Sequence, residues 1–456
     1  MPKDIFEKIA ESPAVILEET INATKKVGGM LHAGAPMRKT KEYWNLLGPG
    51  LTTGAADDDP SGIATYSQAG AQYGNQLLWL AGFTFPLMAI VQEMCARIGL
   101  VTGRGLASNI RRFFPRWMLL SCTILLFAAN AFNIGADLGA MAKASQLLWP
   151  NVSFTKLIIG FTLVSLLLQI FSTYKRYAKY LKFLALILLS YILSTLLIKG
   201  LDWREISQSA ITPSLSFTKD QIILVCAILG TTISPYLFFW QTSQEVEEEI
   251  LEGETTVASR QGTNKEAVKR MRIDVWSGMF LSNVVMFFII LACAATLFPN
   301  GITQIRTASE AAEALRPLAG EGSFLLFALG IIGTGLLAVP ILAGSASYAV
   351  AESFGWKHGL FYQLKQAYAF YGVLIIAMLV GLGLNFVGID PIKALIYSAV
   401  ANGLVAPIIL IFIVLISSNK KVMGEWTNRP LTRIIGWLCV ILMVLAGLAA
   451  IYSFVA

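Results

Sequence analysis

Long apolar runs separated by short polar segments fill the chain from about residue 46 onward. Each run has about 20 residues, which as a helix can cross a hydrocarbon core about 30 Å thick. The pattern therefore predicts eleven transmembrane helices, at 46–70, 76–99, 117–147, 157–174, 183–199, 221–243, 275–298, 323–351, 367–387, 392–417 and 434–455.

The order of these spans predicts a chain of four parts. A mixed-charge arm at 1–42, interrupted by Pro13, is expected to be solvated or to lie on the membrane surface, and it does not resemble a signal peptide. A first group of five helices at 43–200 precedes a second group at 201–417, and a cytoplasmic loop with the last helix occupies 418–456. Because five is odd, the two groups cross the membrane in opposite senses.

Composition agrees with the apolar pattern. Of 456 residues, 55% are hydrophobic and 14% are charged, whereas soluble domains have about 25% charged residues. The mean hydropathy is +0.64. The chain is therefore predicted to be an all-α polytopic membrane protein embedded in a lipid bilayer.

Basic residues predict the orientation, because cytoplasmic loops retain Lys and Arg. The largest basic clusters fall in alternate loops, at 38–41, 104–116, 175–182, 260–272 and 420–433. An N-terminus in the cytoplasm and a C-terminus outside fit this placement, and the expected location is a bacterial inner membrane. The loop asymmetry also explains the pI near 9.0, so no nucleic-acid partner is implied.

Two spans are interrupted by proline. The first contains "DDDPSG" at 57–62, and the sixth contains "LGTTISPYLFF" at 229–239. These spans begin the two oppositely oriented groups, and paired interruptions at corresponding places in inverted halves point to a binding site at the membrane midplane. A charge at the centre of a membrane helix costs about 2.5–3.5 kcal/mol, so the three aspartates are expected to face a cation, water, or both.

Several longer stretches resemble the Nramp metal-ion transporters. They are "GPGLTTGAADDDPSGIATYSQAGAQYGNQLLW" at 48–79, "ARIGLVTGRGLA" at 96–107 and "DVWSGMFLSNVVM" at 274–286. The resemblance covers roughly residues 46–417. It implies the LeuT-type fold, an inverted repeat of 5+5 helices plus one extra helix, and transport by alternating access.

The resemblance also implies ligand positions. With the prolines aligned, Asp59 stands where the family has its metal-binding aspartate, and the carbonyls of Ala56 and Thr231 match two backbone ligands. The family's Gly-Asn, Met and His are replaced here, and so are its third-helix acids. The replacing residues are Ser61, Gly62, Ser234 and Tyr236 at the two breaks, and Asn133 and Ala136 in the third helix, with Asp137 one position away.

The remaining ligand set offers hard oxygen donors, which suit Mg²⁺, Mn²⁺ or Ca²⁺ rather than softer ions. The loss of the Asn and Met side chains is expected to leave room for a partly hydrated ion. We predict a transported Mg²⁺ or Mn²⁺, without proton coupling and without a resident cofactor. The predicted metal site comprises Ala56, Asp57, Asp58, Asp59, Gly62, Thr231, Ser234 and Tyr236, with the Thr232 hydroxyl as a further donor.

Other intramembrane polar groups have two interpretations, as a polar pathway or as packing hydrogen bonds. They are Glu93, which could simply pair with Arg97, and Asn133, Asp137, Asn283 and Asn402, the last also a candidate extra ligand. The acidic run 245–249 is interpreted as the start of a solvated loop, with a cation exit funnel as the alternative.

Two alternatives to cation transport stay open. One is a transporter of a small organic substrate with the same fold, and the other is a receptor that binds metal without moving it. An aspartyl hydrolase is disfavoured, because its carboxylates must face each other from two segments. The chain is therefore predicted not to be an enzyme.

Overall fold

The computed structural model describes residues 48–171, 189–316 and 320–455, in which every regular element is a helix. The predicted arm at 1–42 and part of the predicted fifth span lie outside these residues. In chain order the helices are α1 Pro49–Asp57, α2 Pro60–Tyr73, α3 Trp79–Thr102, α4 Leu106–Phe113, α5 Arg116–Leu148, α6 Phe154–Phe171, α7 Leu189–Leu196, α8 Trp203–Ile211, α9 Lys219–Thr232, α10 Pro235–Leu251, α11 Lys265–Thr296, α12 Ala308–Ala312, α13 Ser323–Phe354, α14 Tyr368–Leu384, α15 Pro391–Ser417, α16 Lys420–Met423 and α17 Pro430–Val455.

Eight helical stretches within the described ranges are long and apolar enough to cross a membrane. They coincide with the predicted second, third, fourth, sixth, seventh, eighth, tenth and eleventh spans. The predicted ninth span corresponds to the 17-residue α14, and the first to the consecutive short helices α1 and α2. The fifth is described only from Leu189 onward, so the total of eleven spans stays a prediction.

The first interruption separates α1 from α2. Asp58, directly after α1, has φ −87° and ψ 46°, and Asp59 is extended with φ −65° and ψ 172°. Pro60 then occupies the first position of α2, where its missing N–H costs no helical hydrogen bond. A proline disfavours helical geometry in the residue before it, which explains why the extended residue is Asp59.

The second interruption repeats this geometry. Ile233, directly after α9, has φ −116° and ψ 57°, and Ser234 is extended with ψ 132°. Pro235 then begins α10. The two breaks share a backbone pattern although only one of them carries carboxylates, as expected for corresponding places in a repeated fold.

A carboxylate from α11 caps the start of α1. Asp274 accepts hydrogen bonds from the backbone N–H groups of Gly48 and Gly50, both at 2.7 Å, and of Leu51 at 3.1 Å. These groups lack partners within the helix, and a negative charge also suits the positive end of the helix dipole. The cap fixes the position of α1 against α11.

Backbone-to-backbone packing reinforces this contact. A Cβ atom at Gly54 would overlap the carbonyl of Gly278 on α11, and one at Gly230 on α9 would overlap Ala399 on α15. Small residues allow such close helix approach in membranes, where packing rather than the hydrophobic effect drives helix association. Each broken span is thus held tightly by one long helix.

Gly54→Ala is expected to lower the free energy of unfolding by about 1–3 kcal/mol, because the added methyl forces the α1 and α11 backbones apart. Thermal unfolding in detergent measures the change. Gly160→Ala on α6 is the matched control, since its Cβ would meet nothing within 4 Å. Equal unfolding temperatures for the two variants would contradict the packing argument.

The interpretation of residues 245–249 as a solvated loop start is wrong. The run is helical, because α10 continues to Leu251, and Glu245 and Glu247 are buried. Glu247 accepts hydrogen bonds from the Tyr348 hydroxyl at 2.7 Å and from two loop amides. Donors from distant parts of the chain offset the burial of this carboxylate, and a local sequence window does not contain them.

Candidate functional site

Three carboxylates lie inside the helix bundle at the first break. Asp57 and Asp58 are 0% exposed and Asp59 is 1% exposed. Asp57 is the last residue of α1, Asp58 follows it, and Asp59 precedes α2. The unwound turn directs the three side chains to different partners, so their roles differ.

Asp59 is the most fully bonded of the three. Its Oδ1 accepts hydrogen bonds from the Ser61 hydroxyl and the Gly62 amide, both at 2.7 Å. Its Oδ2 accepts one from the Asn133 side chain on α5 at 2.9 Å. Asp59 is therefore the N-cap of α2 and joins that helix to α5.

Asp57 and Asp58 retain free oxygen atoms. Asp57 Oδ2 accepts a hydrogen bond from the Ser282 hydroxyl on α11 at 2.7 Å, but its Oδ1 accepts none. Neither oxygen of Asp58 has a hydrogen-bond partner. Buried carboxylate oxygens without partners are rare and costly, so these atoms are the strongest candidates for cation ligands.

At the second break, hydroxyl groups bond to the carbonyls predicted as ligands. Ser234 donates to the carbonyls of Gly230 and Thr231, both at 2.7 Å. Tyr236 donates to the Ala56 carbonyl at 2.7 Å and so links α10 to α1. The Thr232 hydroxyl bonds to its own helix at Ile228. The structure therefore brings the predicted residues together, with several already bonded to each other.

Gly62 faces the second broken span closely. A Cβ atom there would lie 3.0 Å from the Asp57 carbonyl oxygen, 3.1 Å from the Thr231 hydroxyl and 3.4 Å from the Tyr66 ring. Gly62 is therefore closely packed against Thr231 and Tyr66, and room for a partly hydrated ion stays a prediction.

Two predicted residues on α5 also reach this region. Asn133 donates to Asp59 as described, and the carboxylate of Asp137 is 0% exposed with no hydrogen bond to either oxygen. Asp137 is an electrostatic neighbour of Asp59 and lies near the backbone of Ser61. The one-position offset of this carboxylate therefore still places it beside the break.

The other predicted polar residues have separate environments. Asn283 is bonded to the Thr84 hydroxyl at 2.9 Å and to the Met279 carbonyl at 2.9 Å, which fits helix packing. Glu93 accepts hydrogen bonds from Arg272 and Trp276, both at 2.8 Å, and its predicted partner Arg97 is farther away, at 3.6 Å. Asn402 on α15 is buried with neither side-chain polar atom bonded.

Sequence reasoning missed Ser282 and Tyr66. Ser282 binds Asp57, and Tyr66 is an electrostatic neighbour of all three aspartates, with its hydroxyl buried and unbonded. Both residues lie within stretches that resemble the family. Ser282 is 225 residues from its partner, so only a model of how α11 packs on α1 could have identified it.

Two cavities lie beside Gln68 on α2. One of about 660 Å³ also contacts Asp220 and Asp390, and one of about 20 Å³ also contacts Ile63, Phe327 and Leu395. Gln68 bonds to the backbone of both Thr303 and Ile305 at 2.9 Å and holds that loop on α2. The four aspartates at and beside the first break are buried and line neither cavity.

Charge is the outstanding property of the site. Asp57, Asp58, Asp59 and Asp137 make no ion pair with a Lys, Arg or His among the residues that the structure describes. In those same ranges, no three His, Cys, Asp or Glu side chains converge as a ready metal cage. A cation bound here would combine carboxylate with hydroxyl, carbonyl or water oxygens, which is the donor set of a hard ion.

Known proteins resemble this chain along most of its length. The manganese transporter of Eremococcus coleocola, solved with an aromatic bis-isothiourea substituted compound, aligns with a TM-score of 0.69 and 20% identity, covering 91% of this chain and 87% of that one. Mhp1, a nucleobase-cation-symport-1 family transporter in a closed conformation, aligns with a TM-score of 0.56 and 14% identity, covering 89% and 92%. These likenesses confirm the predicted fold, an all-α inverted repeat of the LeuT type.

Proteins of similar sequence are likewise named as metal transporters. A divalent metal cation transporter MntH from Caldanaerobacter subterraneus is 27% identical over 423 residues, covering 92% of this chain and 94% of that protein. An MntH of Aeromonas hydrophila is 26% identical over 429 residues, covering 91% and 96%. The family model described as natural resistance-associated macrophage protein-like matches residues 50–453 and so includes the last helix. The chain therefore belongs to the Nramp family.

Proposed function

We propose that this protein carries a hard divalent cation, Mg²⁺ or Mn²⁺, across a bacterial inner membrane by alternating access. The observation that carries the proposal is the set of four buried carboxylates, three at the first break and Asp137 beside it on α5, which no described Lys, Arg or His neutralises. A cation of charge +2 offsets the cost of burying such groups. The related proteins named as divalent metal or manganese transporters support the same cargo class.

The free oxygens suggest how the ligand roles divide. In this proposal Asp58 and the Oδ1 atom of Asp57 contact the ion directly. Asp59 instead stabilises the unwound backbone between α1 and α2 through its hydrogen bonds to Gly62 and Asn133. The carbonyls of Ala56 and Thr231 keep a second lone pair for the ion. Asp137 and Asn402, both buried with unbonded oxygens, supply the ion's outer surroundings, and Mg²⁺ commonly retains several waters in such a site.

Transport is proposed to follow the membrane potential without coupled protons. Asn133, whose amide cannot carry a proton at neutral pH, is the bonded neighbour of Asp59 on α5. A dication that crosses 100 mV gains about 4.6 kcal/mol, which corresponds to roughly a thousandfold accumulation. The N-terminus is proposed to be cytoplasmic and the C-terminus external, as the basic loops indicate.

An organic cargo fits the site less well. Four buried carboxylates that no described cation neutralises surround the first break. The carboxylate of an organic substrate would instead be expected to meet free helix N-termini and few negative charges. The negative charge of the site therefore favours an inorganic cation.

Purified protein in liposomes with an imposed inside-negative potential is expected to take up Mn²⁺ and Mg²⁺ while the internal pH stays nearly constant. Ion-sensitive and pH-sensitive dyes trapped in the same vesicles measure both quantities, and vesicles without protein are the control. Acidification in proportion to Mn²⁺ uptake would refute uncoupled transport. Tighter binding of Zn²⁺ or Cd²⁺ than of Mn²⁺ would refute the hard-ion site.

The same preparation separates the alternatives. Binding of Mn²⁺ in titration calorimetry without any flux would identify a receptor. Absence of both binding and flux would overturn the metal proposal, and organic substrates would then be screened in the same vesicles.

A further inference from the structure

Another polar cavity, which none of the four aspartates of the candidate cation site lines, lies on the side predicted to be cytoplasmic. Its volume is about 470 Å³. The end of α3, the short helix α4, residues 261–263 and the turn at 421–426 enclose it. It therefore sits where three loops of the membrane-embedded bundle meet.

Cations converge on this cavity. Arg104, Arg112 and Lys421 line it with a single carboxylate, Glu425. None of the three cations forms an ion pair in the described part of the chain, and Arg104 Nε is buried without a hydrogen-bond partner. The guanidinium of Arg112 lies over the Phe113 ring, 5.6 Å from its centroid.

Neighbouring arginines have carboxylate, amide or carbonyl partners, although the Nε atom of Arg97, like that of Arg104, is buried without one. Arg260 donates to the Glu254 carbonyl at 2.7 Å, and Arg97 lies beside Glu93 and Asn428. The carboxyl end of α3 adds a partial charge of about −0.5 at the cavity, which together with Glu425 does not balance three cations. The cavity thus has an excess of positive charge and unused donors.

Exposed aromatic side chains near the cavity indicate its level in the membrane. Phe113 is 40% exposed, and Trp117 at the start of α5 is 65% exposed. Aromatic residues of this kind favour the level of the lipid headgroups, where phosphate groups are abundant. Arg and Lys recognise phosphate oxygens through charge-assisted hydrogen bonds.

We propose that this cavity binds the phosphate group of an anionic ligand, an anionic phospholipid of the cytoplasmic leaflet or a free phosphate. The bound group would connect α4 to the turn before α17. That turn packs close to residues 261–263, whose Gly262 amide already donates to the Val101 carbonyl at 3.0 Å. The site is independent of the cation site, and it acts on stability rather than on the transported ion.

The test measures thermal unfolding of the full-length protein in nanodiscs. Wild type is expected to unfold at a higher temperature in discs that contain phosphatidylglycerol than in phosphatidylcholine alone. Arg104→Gln with Lys421→Gln should remove most of this difference. Each charge removed is expected to weaken lipid binding about fivefold, as measured by native mass spectrometry.

Matched variants separate a built site from general surface charge. Lys420→Gln removes a neighbouring exposed lysine that does not line the cavity, and it should retain the wild-type response. Lys421→Arg should retain it too, because it keeps the cation. The proposal is wrong if Lys420→Gln reduces the lipid-dependent rise in unfolding temperature as much as Lys421→Gln does. It is also wrong if neither lipid nor phosphate raises the unfolding temperature of wild type.

Inorganic phosphate added to phosphatidylcholine discs distinguishes the two sources. Stabilisation by millimolar phosphate that the double variant abolishes, with no further gain from phosphatidylglycerol, would assign the site to a free phosphate. Stabilisation by phosphatidylglycerol alone would assign it to the lipid.

Discussion

Asp58→Asn is expected to reduce Mn²⁺ flux at least a hundredfold while leaving the fold intact. Neither oxygen of Asp58 accepts a hydrogen bond and the side chain is 0% exposed. The nearby Ser282 hydroxyl is bonded to Asp57, so the substitution should cost little stability. Two unit charges 4 Å apart interact with about 4 kcal/mol at an effective dielectric of 20, and a dication roughly doubles this. Loss of the charge should therefore remove most of the binding energy.

Two measurements test this prediction together. Flux into liposomes measures the loss of transport. Thermal unfolding without metal measures the change in stability, and the variant should be as stable as wild type or more stable, because an uncompensated buried charge is gone. Mn²⁺ should raise the unfolding temperature of wild type but not of the variant. A variant that transports normally would show that Asp58 is not a ligand.

Asp59→Ala is expected to lower the free energy of unfolding by about 3 kcal/mol or more. It removes the three hydrogen bonds from Ser61, Gly62 and Asn133 and leaves buried donors unpaired, at about 1–3 kcal/mol each. Asp59→Ser is the matched control, because serine is a good N-cap residue but carries no charge. Thermal unfolding should show that serine restores much of the stability.

Flux through Asp59→Ser decides the second role of this residue. If Asp59 only shapes the break, the serine variant keeps Mn²⁺ affinity within about tenfold of wild type. The family resemblance implies instead that Asp59 is itself a ligand, and in that case the serine variant would lose transport as completely as Asp58→Asn.

The fold was largely predictable from the sequence, because its main signals are local. Apolar runs show the spans, and Pro60 and Pro235 together with their polar and glycine neighbours show both breaks. A proline alone does not, since continuous helices contain Pro86, Pro340 and Pro407. The residues near these breaks do meet in the structure. Tyr236 and Ala56, predicted as separate ligands, are bonded to each other.

The prediction that failed and the contact that was missed both depend on residues distant in sequence. The burial of Glu247 requires donors around residue 360, and the partner of Asp57 is Ser282 on α11. A residue's spacing along the chain contains no information about which distant segment packs beside it, and both assignments depend on that packing.

The hydrogen bond from the Gly62 amide to Asp59 provides a way to measure how often the first break opens to solvent. This amide is buried at the start of α2, so its hydrogen can exchange with deuterium only when the break becomes exposed to solvent. Its exchange rate thus reports how often the empty protein opens, without any transported ion. Comparing that rate with the turnover number would tell whether opening or ion release limits each cycle.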